Sequence, residues 1–211
     1  MIISMEKYLT VKENSIYTGG ITEKKSRFIA YLSHAASAEE AMSFLSSIRK
    51  KHYDAKHNCS AYIIAGEDGA PDTLHSSDDG EPSGTAGKPI MSVLSGAGLK
   101  NVVLVVTRYF GGILLGTGGL VRAYTDASKE ALKAAEKEII RVTDLKDLSF
   151  IFDYRNEGKV RRILEEYGLI PVNTEYGERV CFLVSAESEV AELLTDSLTE
   201  KLSGEVEFRF N

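Results

Sequence analysis

The stretch Asp147–Phe210, DLSFIFDYRNEGKVRRILEEYGLIPVNTEYGERVCFLVSAESEVAELLTDSLTEKLSGEVEFRF, switches repeatedly between two apolar periods. DLSFIFDY alternates Leu148, Phe150, Phe152 and Tyr154 along one face of a strand. EGKVRRILEEYG then repeats its apolar residues at helical spacing and stops at Gly168. LIPVNTEYG and RVCFLVSA read as two strands joined by a tight Tyr176-Gly177-Glu178 turn. ESEVAELLTDSLTEKLSG reads as an amphipathic helix and EVEFRF as a last strand. The order βαββαβ is that of a ferredoxin-like sandwich, in which four antiparallel strands carry two helices on one face. Such an order sets a fold and leaves the function open. ERVCFLVS lacks the basic residue, glycines and alternating aromatics of an RNA-recognition strand, so a structural or protein-contact role is expected for this part.

Upstream, NVVLVVTRYFGGILLGTGGLVRAYTDASKEALKAAEK, Asn101–Lys137, begins as a strand and ends as a helix, with five glycines between. N–H groups at a helix N-terminus lack partners within the helix. Glycines there let an anion approach the main chain, and the helix dipole favours it. Arg108 before the glycines and Arg122 inside the helix are expected to add cationic forks. The named nucleotide motifs fail: G-x-G-x-x-G breaks at Val121, and PSGTAGKP departs from the phosphate loop at Pro82 and Pro89. The alternative is that the glycines only pack a turn against a helix.

Nearer the N-terminus, SIYTGGIT and KSRFIAYLSHA read as strands around a turn. SAEEAMSFLSSIRKKHY reads as a helix with Ser37 as N-cap and Glu40 completing a capping box, and NCSAYIIAG as another strand. A polar stretch from Glu67 to Pro89 follows. Its acids Asp78, Asp79 and Glu81 could ligate a divalent cation or stay solvated, and Ser83 could cap a helix over GTAGKPIMSVLSGAG. His52, His57, Cys59 and His75 lack zinc spacing, and His75, Asp78 and Ser83 lack a nucleophile elbow. No nucleophile and base pair stands out, and no metal or cofactor is expected.

The chain has 211 residues, 43% hydrophobic and 27% charged, which fits a folded two-domain protein. It contains no apolar run near the roughly 20 residues of a membrane span and no signal-peptide pattern at its start, so a cytoplasmic protein with no membrane contact is expected. Cys59 and Cys181 are expected to be buried, reduced thiols. The net charge is −6, but residues 138–211 hold 9 basic and 16 acidic residues, which leaves the first 137 close to neutral. A polyanion partner, which needs clustered Lys and Arg, is therefore compatible only with the N-terminal part.

Four motifs carry a resemblance: KKSRFIA at Lys24–Ala30, HNCSAYI at His57–Ile63, SDDGEPSGTAGKPI at Ser77–Ile90 and RYFGGILLGTGGLVRAY at Arg108–Tyr124. In this order and spacing they resemble the IMPACT family, in its bacterial YigZ-type form. The resemblance implies an α+β protein of two domains. Residues 1–137 would form an α/β sandwich like the second domain of a small-subunit ribosomal protein, a fold also found in small-molecule kinases. Residues 138–211 would form a ferredoxin-like domain similar to part of elongation factor G. The eukaryotic relative regulates translation by competing for an activator of the amino-acid-starvation kinase. The module it uses for that precedes the shared domain and is not carried over. Ile113-Leu114-Leu115 makes the loop here more apolar than versions with Lys.

The resemblance and the residues together imply a non-enzymatic binding protein of translation regulation or the stress response. Its partner would be RNA or a ribosome-associated component, held by Lys88, Arg108, Tyr109, Gly111, Gly112, Gly116, Gly118, Gly119 and Arg122. Asp78, Asp79, Gly80, Glu81, Ser83, Gly84 and Thr85 would form a second binding loop. Two alternatives stay open. One is a Mg²⁺-dependent enzyme acting on a phosphorylated small molecule. The other is a scaffold whose acidic C-terminal domain contacts a protein partner while its glycines serve only the architecture.

Overall fold

A computed structural model describes residues 6–66, 70–143 and 145–210. The chain has the two-domain α+β fold and divides into two compact units, one spanning Tyr8–Val142 and the other combining Thr143–Asn211 with Met1–Lys7.

The first unit is built on a five-stranded antiparallel sheet. Its strands are β2 (Ile16–Glu23), β3 (Ser26–His34), β4 (His57–Ile64), β5 (Thr73–Ser77) and β6 (Val102–Tyr109), in the order β2-β3-β6-β4-β5. Helix α1 (Ala38–Lys51) covers one face, where its Ala41, Leu45 and Ile48 meet Ile29, Tyr31, Tyr62, Val103 and Val105. Helices α2 (Gly87–Gly96) and α3 (Gly116–Ala135) cover the other, over Phe28, Leu32, Ala61, Leu104 and Val106. Burial on both faces explains why residues 102–106 are an unbroken apolar run instead of an alternating one. Two short strands, β1 (Glu6–Val11) and β7 (Ile139–Thr143), pair in a separate two-stranded sheet.

Two local details differ from the expectations. The Ser37 hydroxyl accepts the Glu40 N–H at 3.2 Å, but the Glu40 carboxylate returns to Ala36 N at 2.8 Å, one residue before the cap. Strand β5 lies inside the stretch taken as polar loop. It is an edge strand with exposed side chains, so no apolar alternation marks it. Residues 67–69 of that stretch lie outside the described residues.

The second unit is the expected βαββαβ: β8 (Leu145–Phe152), α4 (Glu157–Glu166), β9 (Asn173–Tyr176), β10 (Val180–Glu187), α5 (Ser188–Lys201) and β11 (Val206–Phe210). The antiparallel sheet has the order β11-β8-β10-β9. Phe150, Phe152, Phe182 and Val184 form one core with Val160, Ile163, Leu164, Leu194 and Leu198 of the helices. Tyr154, expected on the β8 face, falls after the strand in a 3-10 turn, where its hydroxyl donates to the Gly177 carbonyl at 2.8 Å. Cys181 is half-buried and Cys59 buried, and both are free thiols. Among the described residues no helix is long and apolar enough to cross a membrane.

Ala123, Ala127, Ala131 and Ala135 face the sheet and let α3 come close to β2. At the closest point a Cβ on Gly19 would stand 2.3 Å from the Ala131 nitrogen, so any side chain there must push helix and strand apart. Gly118, by contrast, faces open space within α3. Gly19→Ala is expected to cost about 1–3 kcal/mol through forced separation of backbones. Gly118→Ala should be neutral or stabilising by up to about 1 kcal/mol through helix propensity. Urea unfolding of the two variants checks this contrast.

Candidate functional site

Arg108 is the penultimate residue of β6, paired across the sheet with Phe28 of β3 and His57 of β4. Strand alternation places it on the side of Leu104 and Val106, beneath α3. Its Nη1 donates to Glu81 Oε1 at 2.6 Å, and the two side chains are only 7% and 3% exposed. The Tyr124 hydroxyl of α3 donates to the same oxygen at 2.8 Å, and burial above all holds that phenol in its neutral form. The guanidinium lies 5.4 Å from the Phe28 ring centre and 5.5 Å from that of Phe110. Arg108 is therefore not the outward fork the sequence implied, and Glu81 is not a solvated turn acid. They neutralise each other inside the unit, where neither charge could remain alone. Cys59 joins this network through Tyr124 Oη at 3.3 Å, and burial pushes its thiol up to about 12, which leaves it unreactive.

The other acids of the polar loop are equally committed. Asp78 accepts the N–H groups of Gly84 at 2.8 Å, Ala86 at 2.9 Å and Gly87 at 2.8 Å. Burial works to raise its carboxyl, but these three donors outweigh it and hold the group below the usual carboxylate range. The result caps α2 from outside the helix, since Ala86 at the N-cap offers no acceptor, and it replaces the cap expected from the exposed Ser83. Asp79 accepts the Asn58 N–H at 2.7 Å and pairs with Arg49 at 2.6 Å, while its carbonyl meets His57 Nδ1 at 2.9 Å beside Gly80. Thr85 is buried, its hydroxyl donating to the Pro82 carbonyl at 2.6 Å. Among the described residues no group of three or more His, Cys, Asp or Glu is arranged to hold a metal ion. Of the loop residues, Gly80, Pro82, Ser83 and Lys88 stay exposed.

The glycine junction is anchored at Gly111, whose N–H donates to Ser26 Oγ at 3.1 Å. A Cβ there would fall 2.0 Å from the Lys25 carbonyl carbon, so the loop lies directly against the Lys24-Lys25 turn. Gly112 and Gly116 take left-handed backbone angles, φ 85° and 73°, and bracket the tip. Helix α3 then starts at Gly116 after Leu115 at its N-cap, which supplies no side-chain cap and leaves the first N–H groups to solvent or a ligand. The Gly119 site meets the Leu115 side chain. The tip is apolar: Phe110 is 55% and Leu114 82% exposed, with Ile113 and Val121 also on the surface. Exposed Lys24, Lys25, Lys88 and Arg122 lie outside every ion pair among the described residues. Sequence reasoning singled out Lys88 and Arg122 but missed the two lysines, whose proximity comes from the hairpin turn.

Tyr109 belongs to the opposite face, with a partner that the sequence did not reveal. The Tyr31 hydroxyl lies 2.7 Å from His52 Nε2, the other His52 nitrogen 2.9 Å from Tyr109 Oη, and Tyr109 donates to Asp54 at 2.9 Å. This directs the chain from Tyr31 through the Nδ1–H tautomer of His52 to Asp54. Burial lowers the His52 pKa, with Lys51 and Arg27 adding to it and Asp54 opposing. Alternation of Tyr31 with Ile29 on β3 was the only signal that a polar tip lay beneath α1.

Two outcomes test these networks. Arg108→Ala and Glu81→Ala should each lose about 3–5 kcal/mol of unfolding free energy in urea titrations, since each strands a buried charge, whereas Glu81→Leu/Arg108→Met should recover most of it. A folded pKa below 6.5 means that His52 adds no penalty above that pH, and that stability falls as pH drops from there toward the folded value. Thermal unfolding between pH 7.5 and 5 should therefore fall less steeply for His52→Gln than for the parent.

Residues 24–132 match the Impact N-terminal domain family, and residues 150–205 match a domain of unknown function, DUF1949. An IMPACT family member of Haemophilus influenzae is 40% identical over 95% of both chains. IMPACT family member YigZ of Escherichia coli is 42% identical over 72% of this chain and 74% of its own. A crystal structure described only as that of a hypothetical protein superposes with a TM-score of 0.63 at 34% identity, covering 98% of each chain. The buried Glu81–Arg108 pair, the Asp78 cap and the glycine junction all lie within the matched N-terminal segment. By these matches over nearly its whole length, the chain belongs to the IMPACT family.

Proposed function

We propose that this protein is a non-enzymatic binding protein of translation regulation, acting in the cytoplasm, whose N-terminal unit grips RNA, free or ribosome-borne, on the glycine-loop face. The carrying observation is the set of exposed cations outside every ion pair among the described residues, Lys24, Lys25 and Arg122, joined by Lys88 near Asp78, together with a loop whose helix begins with uncapped N–H groups. Uncompensated cations bind phosphates by releasing counterions, and free amides at a helix start fix a phosphate in place. Family membership supports the link to translation.

The Mg²⁺-dependent alternative needs free carboxylates, and Asp78, Asp79 and Glu81 are taken up by backbone amides and arginines. In the acidic C-terminal unit, Asp153, Glu157, Glu166, Glu205 and Glu207 have local Lys or Arg partners. Of the remaining acids, Glu189, Glu192 and Asp196 lie exposed on α5, where a basic protein partner would meet them.

Arg108 is unsuitable as a test of binding, because its loss destabilises the unit. The informative variants are Lys24→Ala/Lys25→Ala and Arg122→Ala, in salt titrations of binding to single-stranded RNA, tRNA and ribosomal subunits. The parent should lose affinity steeply with salt, and each removed cation that contacts a phosphate of a single strand should lower the logarithmic slope by about 0.7. Binding that is absent at low salt, or insensitive to salt, overturns the proposal.

A further inference from the structure

Phe110 occupies an unusual position. Its ring rests on the Arg108 guanidinium, 5.5 Å from the ring centre, yet more than half of the residue is exposed. The guanidinium cannot move away: Glu81 holds it at 2.6 Å, the Phe28 ring lies 5.4 Å from it, and Tyr124 fixes Glu81 from α3. An exposed aromatic side chain normally samples several rotamers and loses that freedom on binding. Here a buried cation beneath the ring supplies an attractive seat and restrains it before any ligand arrives. Next to it, Gly111 packs against the Lys25 backbone, so the turn that carries the exposed Lys24 and Lys25 lies directly against the loop beside the ring.

From this juxtaposition we infer that Phe110 is a stacking platform for an unpaired base of single-stranded RNA, with Arg108 as its positioning residue and Lys24 and Lys25 on the flanking phosphates. The inference rests on the RNA reading of the glycine-loop face and narrows it. An aromatic face can accept any base, but bases within a duplex already stack on their neighbours and are closed to it. The positive charges of the neighbouring turn match a phosphate backbone, and the cation beneath the ring is buried and ion-paired with Glu81, so it organises the ring without contacting the strand. The surface is therefore expected to prefer a single strand, with little dependence on its sequence.

The chain has no tryptophan, so Phe110→Trp creates a single reporter on the platform. At low salt, a single-stranded 12-mer of uridine should quench its fluorescence saturably, with an affinity within about threefold of the parent's, and a duplex of equal length should not. Phe110→Ala, with an unchanged melting temperature, should weaken binding about tenfold. Phe110→Leu should weaken it nearly as much, since it keeps apolar area but not the aromatic face. If the parent binds the single strand, both of these substitutions leave affinity unchanged and the indole of the Phe110→Trp variant is not quenched, the platform is wrong while the RNA reading stands. If the parent binds no RNA, both fall. Equal quenching by duplex, or by polyglutamate that displaces the uridine strand, assigns the ring to another partner and overturns the inference.

Discussion

The buried contact between Arg108 and Glu81 is the constraint around which the N-terminal unit is arranged. It joins the end of a central strand to a loop 27 residues earlier, and through Tyr124 it reaches the helix above. Removing two charges from water is costly, and their attraction returns that cost only when geometry and further hydrogen bonds are good. The pair therefore contributes specificity of position more than net stability. A loop rich in Gly, Ser and Asp has one place to sit, because only there does Arg108 find its counter-charge.

Asp78 and Asp79 extend the same arrangement. Their carboxylates close the start of α2, hold the Asn58 amide and meet Arg49, so all three acids of the loop serve the interior of their own unit. The formal charge of the first 137 residues, close to neutral, then understates how basic the glycine-loop face is. The acids of the polar loop are used locally, while Lys24, Lys25 and Arg122 lie outside every ion pair among the described residues and Lys88 stays exposed near Asp78. The loop itself has a fixed base at Gly111, two left-handed glycines and an apolar tip between them. The same ion pair that fixes the polar loop also seats the ring of Phe110 at the edge of that tip.

Much of the fold was legible in the sequence, because periodicity reports burial directly. Leu148, Phe150 and Phe152 against the helical spacing of Val160, Ile163 and Leu164 yield the ferredoxin-like order, and the apolar, β-branched run over residues 102–106 marks a strand ahead of the glycines. Strand β5 was not legible, because an exposed edge strand buries nothing and leaves no pattern. The candidate site was legible in part. The glycines, Lys88 and Arg122 were found from local spacing, but Lys24, Lys25, Phe110 and the His52 chain were not, since their significance lies in neighbours distant along the chain.

By itself the sequence determined the two-unit α+β architecture, the apolar layers, the glycine junction and the family, all of which depend on residue types at short, regular separations. Only the tertiary structure decided which charges face solvent and which hold the protein together. Arg108 and Arg122 look alike in the sequence, each beside the glycines. One is buried against Glu81 and the other lies open to solvent, because strand alternation and helix rotation, acting together with a counter-charge from a remote loop, sort them to opposite sides of the surface.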